Sequence, residues 1–206
     1  ATVYGGSAYI AGSVQPAGSN TLYAGIWKDG VWVAMENGAG GQVESVYVNG
    51  ANIYSAGWAD YGGGTGGIWI NGHPLPLAAP GHIVKIVGRG SVVYFIGSSG
   101  GGPGYFTTSR NFVSFNSFGG VATSGVLDGD NLYVSGYYSQ GGSLGTVPGY
   151  WKNGIWTQIS PSEGAANDIV VVDGKPILFG VRYDANAKRH AGFWTAEGAW
   201  TDLSIP

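Results

Sequence analysis

The chain has 206 residues and no cysteine, and nine Lys and Arg against twelve Asp and Glu give it a formal net charge of −3. The lack of cysteine excludes disulfides, thiolate metal ligands and a thiol nucleophile. The slightly acidic balance argues against nucleic-acid or anionic-membrane partners, since both need a basic patch. No run approaches the ~18 apolar residues of a membrane helix.

A short strand that ends in glycine recurs along the chain, roughly 40 to 45 residues apart. The copies are Ala8–Gly12, Asn52–Gly57, Val92–Gly97, Asn131–Gly136 and Pro176–Gly180. Strand-built repeats of this length are typical of propeller blades. We therefore predict an all-β fold, a five-bladed β-propeller whose blades are four-stranded antiparallel meanders, contiguous in sequence. A single domain over 1–206 would hold blades at about 1–40, 41–80, 81–118, 119–162 and 163–206.

The second copy gives the clearest view of one blade. Its strands are predicted at 43–48, 51–57, 67–70 and 73–77, with turns at Asn49-Gly50 and Asn71-Gly72. Asn-Gly and Asp-Gly favour two-residue hairpin turns, because both turn residues need positive φ. No stretch of ten or more residues has a helical period free of Gly and Pro, so we expect no long helix.

The hairpins predict aromatic pairs across the third and fourth strands. The turn at Asp29-Gly30 places Trp27 opposite Trp32, and the turn at Asn153-Gly154 places Trp151 opposite Trp156. Equivalent positions elsewhere pair Trp69 with Pro74, Phe106 with Phe112 and Trp194 with Trp200. Such a ladder could serve as a series of sugar-stacking platforms, but packing of one blade against the next is the favoured interpretation.

The longer and more varied connections follow the second and the fourth strand of each copy. In a meander these two connections leave the sheet on the same side, where binding residues are usually found. Candidate ligand-binding residues there are Trp58, Asp60, Tyr61, Tyr137, Tyr138, Tyr183 and Asp184. Aromatic rings beside short polar side chains suit carbohydrate. The alternative is that these rings only cover the ends of the blades.

Two acids are the weak candidates for catalysis. When the copies are aligned on the glycine of the first hairpin, Glu44, Val84, Thr123 and Asp168 coincide near the mouth of the predicted central channel. Glu44 and Asp168 could then act as acid and base in glycoside hydrolysis. Ordinary acids at a loop edge are the favoured interpretation. His73, His82 and His190 lack metal-ligand spacing, and we predict no cofactor and no metal.

The order of strand, glycine, aromatic pair and next inner strand over Asn131–Gly136, Tyr150-Trp151, Ile155–Thr157 and Ile169–Gly174 resembles the kelch-type propeller repeat. Kelch repeats carry a Gly-Gly doublet, where this chain has a single glycine, and usually number six or seven. The repeat is also similar to that of uncharacterised secreted bacterial proteins with a Tyr-Trp-Lys-Asn-Gly signature, matched here by Tyr150–Gly154. That resemblance implies a fold and does not imply an activity.

The sequence thus predicts a non-enzymatic binding module that recognises glycan or protein on its variable side. The alternatives are a glycosidase or lyase and a structural repeat domain of a larger surface protein. We expect a monomer whose blades close by face packing, although the chain could be part of a longer repeat array. The surface, rich in Gly, Ser, Thr and Asn, favours a secreted or cell-surface protein, from which a leader would have been removed or not included in this chain. The lack of an Asn-x-Ser/Thr sequon favours a bacterial source.

Overall fold

In a computed structural model, residues 1–59, 65–77, 81–115, 119–139 and 145–203 are described. They form five four-stranded antiparallel sheets that follow one another in sequence, which confirms the predicted fold class of a five-bladed β-propeller with contiguous blades. Each sheet corresponds to one predicted blade. Across these ranges there is no helix of the length and apolar character needed to cross a membrane.

The strands of the sheets run in chain order from the first strand of each sheet to the fourth. The first sheet consists of β1 (Thr2–Tyr4), β2 (Ser7–Val14), β3 (Tyr23–Lys28) and β4 (Val31–Ala39). The second consists of β5 (Gln42–Asn49), β6 (Asn52–Ala59), β7 (Thr65–Ile70) and β8 (His73–Pro74). The third consists of β9 (His82–Arg89), β10 (Val92–Ser99), β11 (Gly102–Thr107) and β12 (Phe112–Ser114). The fourth consists of β13 (Gly120–Asp128), β14 (Asn131–Ser139), β15 (Thr146–Lys152) and β16 (Ile155–Gln158). The fifth consists of β17 (Gly164–Val172), β18 (Lys175–Tyr183), β19 (Arg189–Trp194) and β20 (Trp200–Asp202).

The chain divides into two compact units. The first unit comprises Ala1–Gly100 and Tyr105–Val113, and the second comprises Gly101–Gly104 and Ser114–Pro206. The first and second sheets thus belong wholly to the first unit, and the fourth and fifth sheets belong to the second.

A β-bulge in the first strand explains the recurrent glycine. One residue in β5, β9, β13 and β17 has no partner in the register, and these residues are Glu44, Val84, Thr123 and Asn167. A Cβ on the glycine of the neighbouring strand would collide with the carbonyl oxygen two residues before the bulge. The colliding pairs are Gly57 with Gln42, Gly97 with His82, Gly136 with Val121 and Gly180 with Ala165. In these four sheets the bulge therefore explains why a glycine recurs at this position.

The predicted aromatic pairs are confirmed. Ring centroids of Trp27 and Trp32 lie 4.6 Å apart, and those of Trp194 and Trp200 lie 4.4 Å apart. The other pairs also form: Trp151 with Trp156, Phe106 with Phe112, and Trp69 opposite Pro74. We call the side of each sheet that carries this pair the ladder face, and its other side the reverse face.

The ladder packs one sheet against the preceding one within each unit. Trp69 is buried among Tyr9, Ile26 and other residues of the first sheet, and its indole N–H donates to the carbonyl of Glu36 at 2.9 Å. Trp194 is buried in the same way with Tyr133 of the fourth sheet. The sugar-stacking alternative is wrong for the buried members Trp69, Phe106, Trp151 and Trp194, because their rings are closed to solvent.

The outer hairpins are tied to the second strand by their turn residue. Asn153 has a φ of 51°, its side-chain oxygen accepts the N–H of Leu132 at 2.9 Å, and its amide donates to Asn131 at 2.9 Å. Asp29 and Asn71 accept a second-strand N–H in the same way. Short polar side chains that tolerate positive φ are thus required at these turns.

The second sheet departs from the prediction at its outer strand. We expected a fourth strand over 73–77, but β8 ends at Pro74. The N–H of Leu75 still donates to the carbonyl of Ile68 at 2.7 Å. Pro74 and Pro76 on either side have no N–H to donate, so no regular strand continues from here.

Candidate functional site

The described residues among those proposed for ligand binding each lie at the same edge of their own sheet, which we call the variable edge. The connections after the second and fourth strands of a sheet leave from this edge, because its strands alternate in direction. Trp58, Tyr137, Tyr138 and Tyr183 were expected in loops, but they belong to strands β6, β14 and β18, and only Asp184 follows a strand. The second strands continue past the bulge, which carries these side chains on a regular backbone. Asp60 and Tyr61 lie outside the described residues.

Trp58 lies beside an open groove in the first unit. The side chain is 37% exposed, and the backbone is fixed between Gln42 and Gly66 in the sheet register. The groove has a volume of about 530 Å³ and is lined by Asn20, Thr21, Leu22, Ala39, Gly40 and Trp58. None of these side chains is charged. One aromatic ring and small polar groups around a shallow opening form a surface suited to a neutral, hydroxyl-rich ligand.

The groove is built from both types of connection. Asn20, Thr21 and Leu22 precede β3, whereas Ala39 and Gly40 lie at the turn from β4 to β5. The N–H of Gly40 donates to the carbonyl of Leu22 at 2.8 Å, and the N–H of Thr21 donates to the hydroxyl of Ser19 at 3.0 Å. A backbone hydrogen bond therefore joins the two connections that line the groove. Only Trp58 among these lining residues was identified from the sequence.

Glu44 forms an ion pair with His82 from the next sheet. The Oε1 of Glu44 lies 2.8 Å from the Nε2 of His82, with 26% and 49% of the two side chains exposed. The hydrogen bond to Glu44 raises the pKa of His82 above its ordinary value, although partial burial opposes the rise. The carboxylate thus acts here as the hydrogen-bond partner of the His82 ring, and the contact joins β5 to β9.

Asp168 does not occupy the position equivalent to Glu44. The bulged residue of β17 is Asn167, and Asp168 pairs directly with Phe179. The alignment on the hairpin glycine was displaced by one residue because Gly50, Gly90 and Gly129 come first in their two-residue turns, whereas Gly174 comes second after Asp173. Glu44 belongs to the first unit and Asp168 to the second. Asp168 is exposed, and its Oδ1 accepts the N–H of Ile169 at 2.9 Å.

The ring of Tyr138 packs against the aromatic ladder of the fourth sheet. Its ring meets that of Trp156 edge to face at 4.7 Å and lies 6.0 Å from that of Trp151. Tyr137 alternates to the other side of the strand and is half-buried. Of these two candidates, Tyr138 covers the end of the ladder, as the alternative interpretation expected.

Asp184 organises the loop between β18 and β19. Its Oδ1 accepts the N–H groups of Asn186 and Lys188, each at 2.9 Å, and its Oδ2 lies 3.2 Å from the Nε2 of His190. The backbone bond from Lys188 and the contact with His190 lower the pKa of Asp184. The other ring nitrogen of His190 lies 2.9 Å from Asp202. Asp184 therefore has a structural role in this loop.

Sequence reasoning treated the histidines as isolated, but each has an acidic partner. His73 pairs with Glu36 at 2.8 Å, as His82 does with Glu44 and His190 with its two aspartates. Counting two residues outward from the predicted Trp194–Trp200 pair places Gly192 opposite Asp202, so the contact of His190 with Asp202 is diagonal and did not follow from the hairpin. Within the described ranges, no group of three or more His, Cys, Asp or Glu residues is placed to hold a metal ion.

Models of known protein families give no match to this chain. The curated proteins likewise contain no match.

Proposed function

We propose that this chain is a non-catalytic binding protein that recognises neutral carbohydrate in the groove beside Trp58. The observation that carries the proposal is the exposed indole at the rim of a groove with an uncharged lining. An indole face stacks on the C–H groups of a sugar ring, and this contact releases water from two apolar surfaces.

The remaining lining supports the same ligand class. Asn20 brings an amide with donors and an acceptor, and Thr21 brings a hydroxyl, which are the groups that bond sugar hydroxyls. Ala39 and Gly40 are small and leave room for a ring to approach the backbone. A charged ligand would find no ionic partner among the lining side chains.

A binding role fits the carboxylates better than the hydrolytic alternative does. Glu44 is paired with His82 at 2.8 Å, and the repeat register places Asn167 rather than a second acid at the equivalent position. Hydrolysis of a glycosidic bond needs two carboxyl groups at a defined separation. The repeat therefore offers no symmetry-related acid to serve with Glu44.

The test is a screen of neutral oligosaccharides immobilised on an array, followed by calorimetric titration of the best ligand. We expect Trp58→Ala to weaken binding at least about tenfold, which corresponds to about 1.4 kcal/mol. Tyr4→Ala is the matched control, since Tyr4 is 43% exposed in the same unit but lies at the opposite edge of its sheet.

The control is expected to bind like the unmodified chain. The proposal is overturned if no neutral sugar binds, or if both variants bind equally well.

A further inference from the structure

His190 joins the loop after β18 to the outer strand of the fifth sheet. Its Nδ1 lies 2.9 Å from the Oδ2 of Asp202, and its Nε2 lies 3.2 Å from the Oδ2 of Asp184. The histidine side chain is 19% exposed, whereas those of Asp184 and Asp202 are 32% and 40% exposed. One largely buried imidazole is therefore placed between two carboxylates, and all three groups belong to one sheet of the second unit.

The number of protons on His190 decides how many of these contacts are hydrogen bonds. An imidazolium donates from both ring nitrogens, whereas a neutral imidazole donates from one and accepts at the other. An ionised carboxylate only accepts, so in the neutral state one of the two carboxylates faces a nitrogen lone pair. Because the contact with Asp202 is the shorter, the contact with Asp184 is the one that breaks. Histidine changes its charge between about pH 5 and pH 8.

Asp184 holds the loop over residues 184–188 in a strained conformation. Its Oδ1 accepts the N–H groups of Asn186 and Lys188, each at 2.9 Å. Between them, Ala187 has a φ of 59°, in the left-handed region that is unfavourable for a residue with a Cβ. The contact with His190 fixes the Asp184 carboxylate that makes these two bonds. When this contact breaks, the carboxylate can turn and the loop can leave the strained conformation.

The other charged groups near His190 do not replace its proton. Arg182 lies opposite His190 in the register, and its guanidinium lies over the ring of Trp200 at 5.3 Å. Tyr183 and Arg189 alternate to the other face of the sheet. Lys188 is exposed within the loop, and Glu163 is exposed before the start of β17. The fourth sheet, on which this face packs, has its charged residues at the hairpin edge, away from the variable edge: Asp128, Asp130 and Lys152.

We propose that His190 is a pH-dependent clasp, which holds the loop over residues 184–188 closed when it is protonated and releases the loop when it is neutral. The loop follows the second strand of its sheet and so lies at the variable edge. The clasp therefore changes the surface that the second unit offers at this edge in the pH range where histidine titrates. It does not depend on the groove beside Trp58, which belongs to the first unit.

The test is hydrogen exchange of the full chain, followed residue by residue by NMR and expressed as protection factors, which remove the intrinsic effect of pH on exchange. The reporters are the N–H groups of Asn186 and Lys188, and the amides in the centre of β18 are the internal reference. We expect the two reporters to be at least about fivefold less protected at about pH 8 than at about pH 5. The reference amides should keep their protection.

Two variants separate the clasp from a merely structural histidine. In Asp202→Asn, the new amide can donate to Nδ1 of neutral His190, which then keeps its proton on Nε2 for Asp184. The loop should therefore stay protected at both pH values. His190→Gln has no proton to gain or lose here, so its reporters should be equally protected at both pH values.

His73→Gln is the matched control, because His73 also contacts a carboxylate, at 2.8 Å from Glu36, but belongs to the second sheet. It should leave the pH dependence of the reporters unchanged. The proposal is overturned if the reporters of the unmodified chain show no pH dependence, or if that dependence persists in His190→Gln or in Asp202→Asn. A loss of protection that the reference amides share also overturns it, since the whole sheet would then be opening.

Discussion

Replacement of Gly57 by alanine tests the origin of the sequence repeat. A Cβ at Gly57 would lie 2.9 Å from the backbone N of Glu44 and still closer to the carbonyl oxygen of Gln42. Both atoms belong to the backbone of the bulge and cannot rotate away as a side chain could. Overpacking of this kind typically costs about 1–3 kcal/mol, and we expect about 3 kcal/mol because the bulge itself must shift.

The same substitution at Gly12 is the control. Gly12 occupies the equivalent position in the first sheet, but the register of β1 with β2 stops at the Thr2–Tyr9 pair, so no residue of β1 lies opposite Gly12. Its nearest neighbour would be the Cζ3 of Trp27 at 2.7 Å, the far end of a half-buried side chain. A small rotation of the Trp27 side chain relieves this contact. Alanine also lowers the conformational entropy of the unfolded chain, which stabilises the folded state by about 0.4–1 kcal/mol. We expect Gly12→Ala to change the free energy of unfolding by less than about 1 kcal/mol.

Thermal and urea unfolding, followed by circular dichroism and tryptophan fluorescence, measure both variants. At about 2–4 °C per kcal/mol for a chain of this size, Gly57→Ala should lower Tm by about 6–12 °C. Equal losses for both variants would refute the bulge as the cause of the recurrent glycine. A loss below about 1 kcal/mol for Gly57→Ala would refute the collision argument.

Two further predictions concern polar contacts. Proton NMR titration should give His82 a pKa above the ordinary 6.5, and Glu44→Gln should return that pKa towards the ordinary value. Because the pKa of His82 is raised in the folded state, the stability that this pair contributes is present below pH 6.5. It is lost as the pH rises through the raised pKa. An unchanged titration in Glu44→Gln would contradict the pairing. Asn153→Ala should lower the free energy of unfolding by about 2 kcal/mol, because it removes two hydrogen bonds and leaves alanine at positive φ. Asn153→Gly should lower it by only about 1 kcal/mol, since glycine tolerates that φ, and equal losses in urea unfolding would argue against backbone strain.

The strand content and the hairpin pairs followed from local sequence. A two-residue turn fixes which residues face each other, so Asp29-Gly30 was sufficient to place Trp27 opposite Trp32. The burial of Trp151 and Trp194 also followed, because a large apolar residue repeated at one position of every sheet has to pack on a neighbour. The length of β8 was not predicted from the sequence, although Pro74 and Pro76 within the predicted strand indicate a shorter one.

The candidate site was predictable only in part. Trp58 was identified by its place after the second strand, but the groove beside it depends on two connections that the register brings together. The second strands pass the bulge before they end, so residues assigned to loops proved to lie in sheets. Tyr138 consequently packs against the tryptophans of its own sheet, and Asp184 accepts hydrogen bonds within its own loop. The carbohydrate ligand, the secreted origin and the kelch-like resemblance stay predictions.

The sequence by itself determined the repeat, the number of sheets and the strand pairing within each, because turns and alternating side chains act over a few residues. In four of the five sheets the recurrent glycine lies beside a backbone carbonyl of the bulge, but only the structure showed that contact. Only the tertiary structure decided that Asn167 rather than Asp168 matches Glu44, and that each histidine meets an acid. Those facts depend on contacts between residues far apart in the chain, and such contacts leave no periodic mark in the sequence.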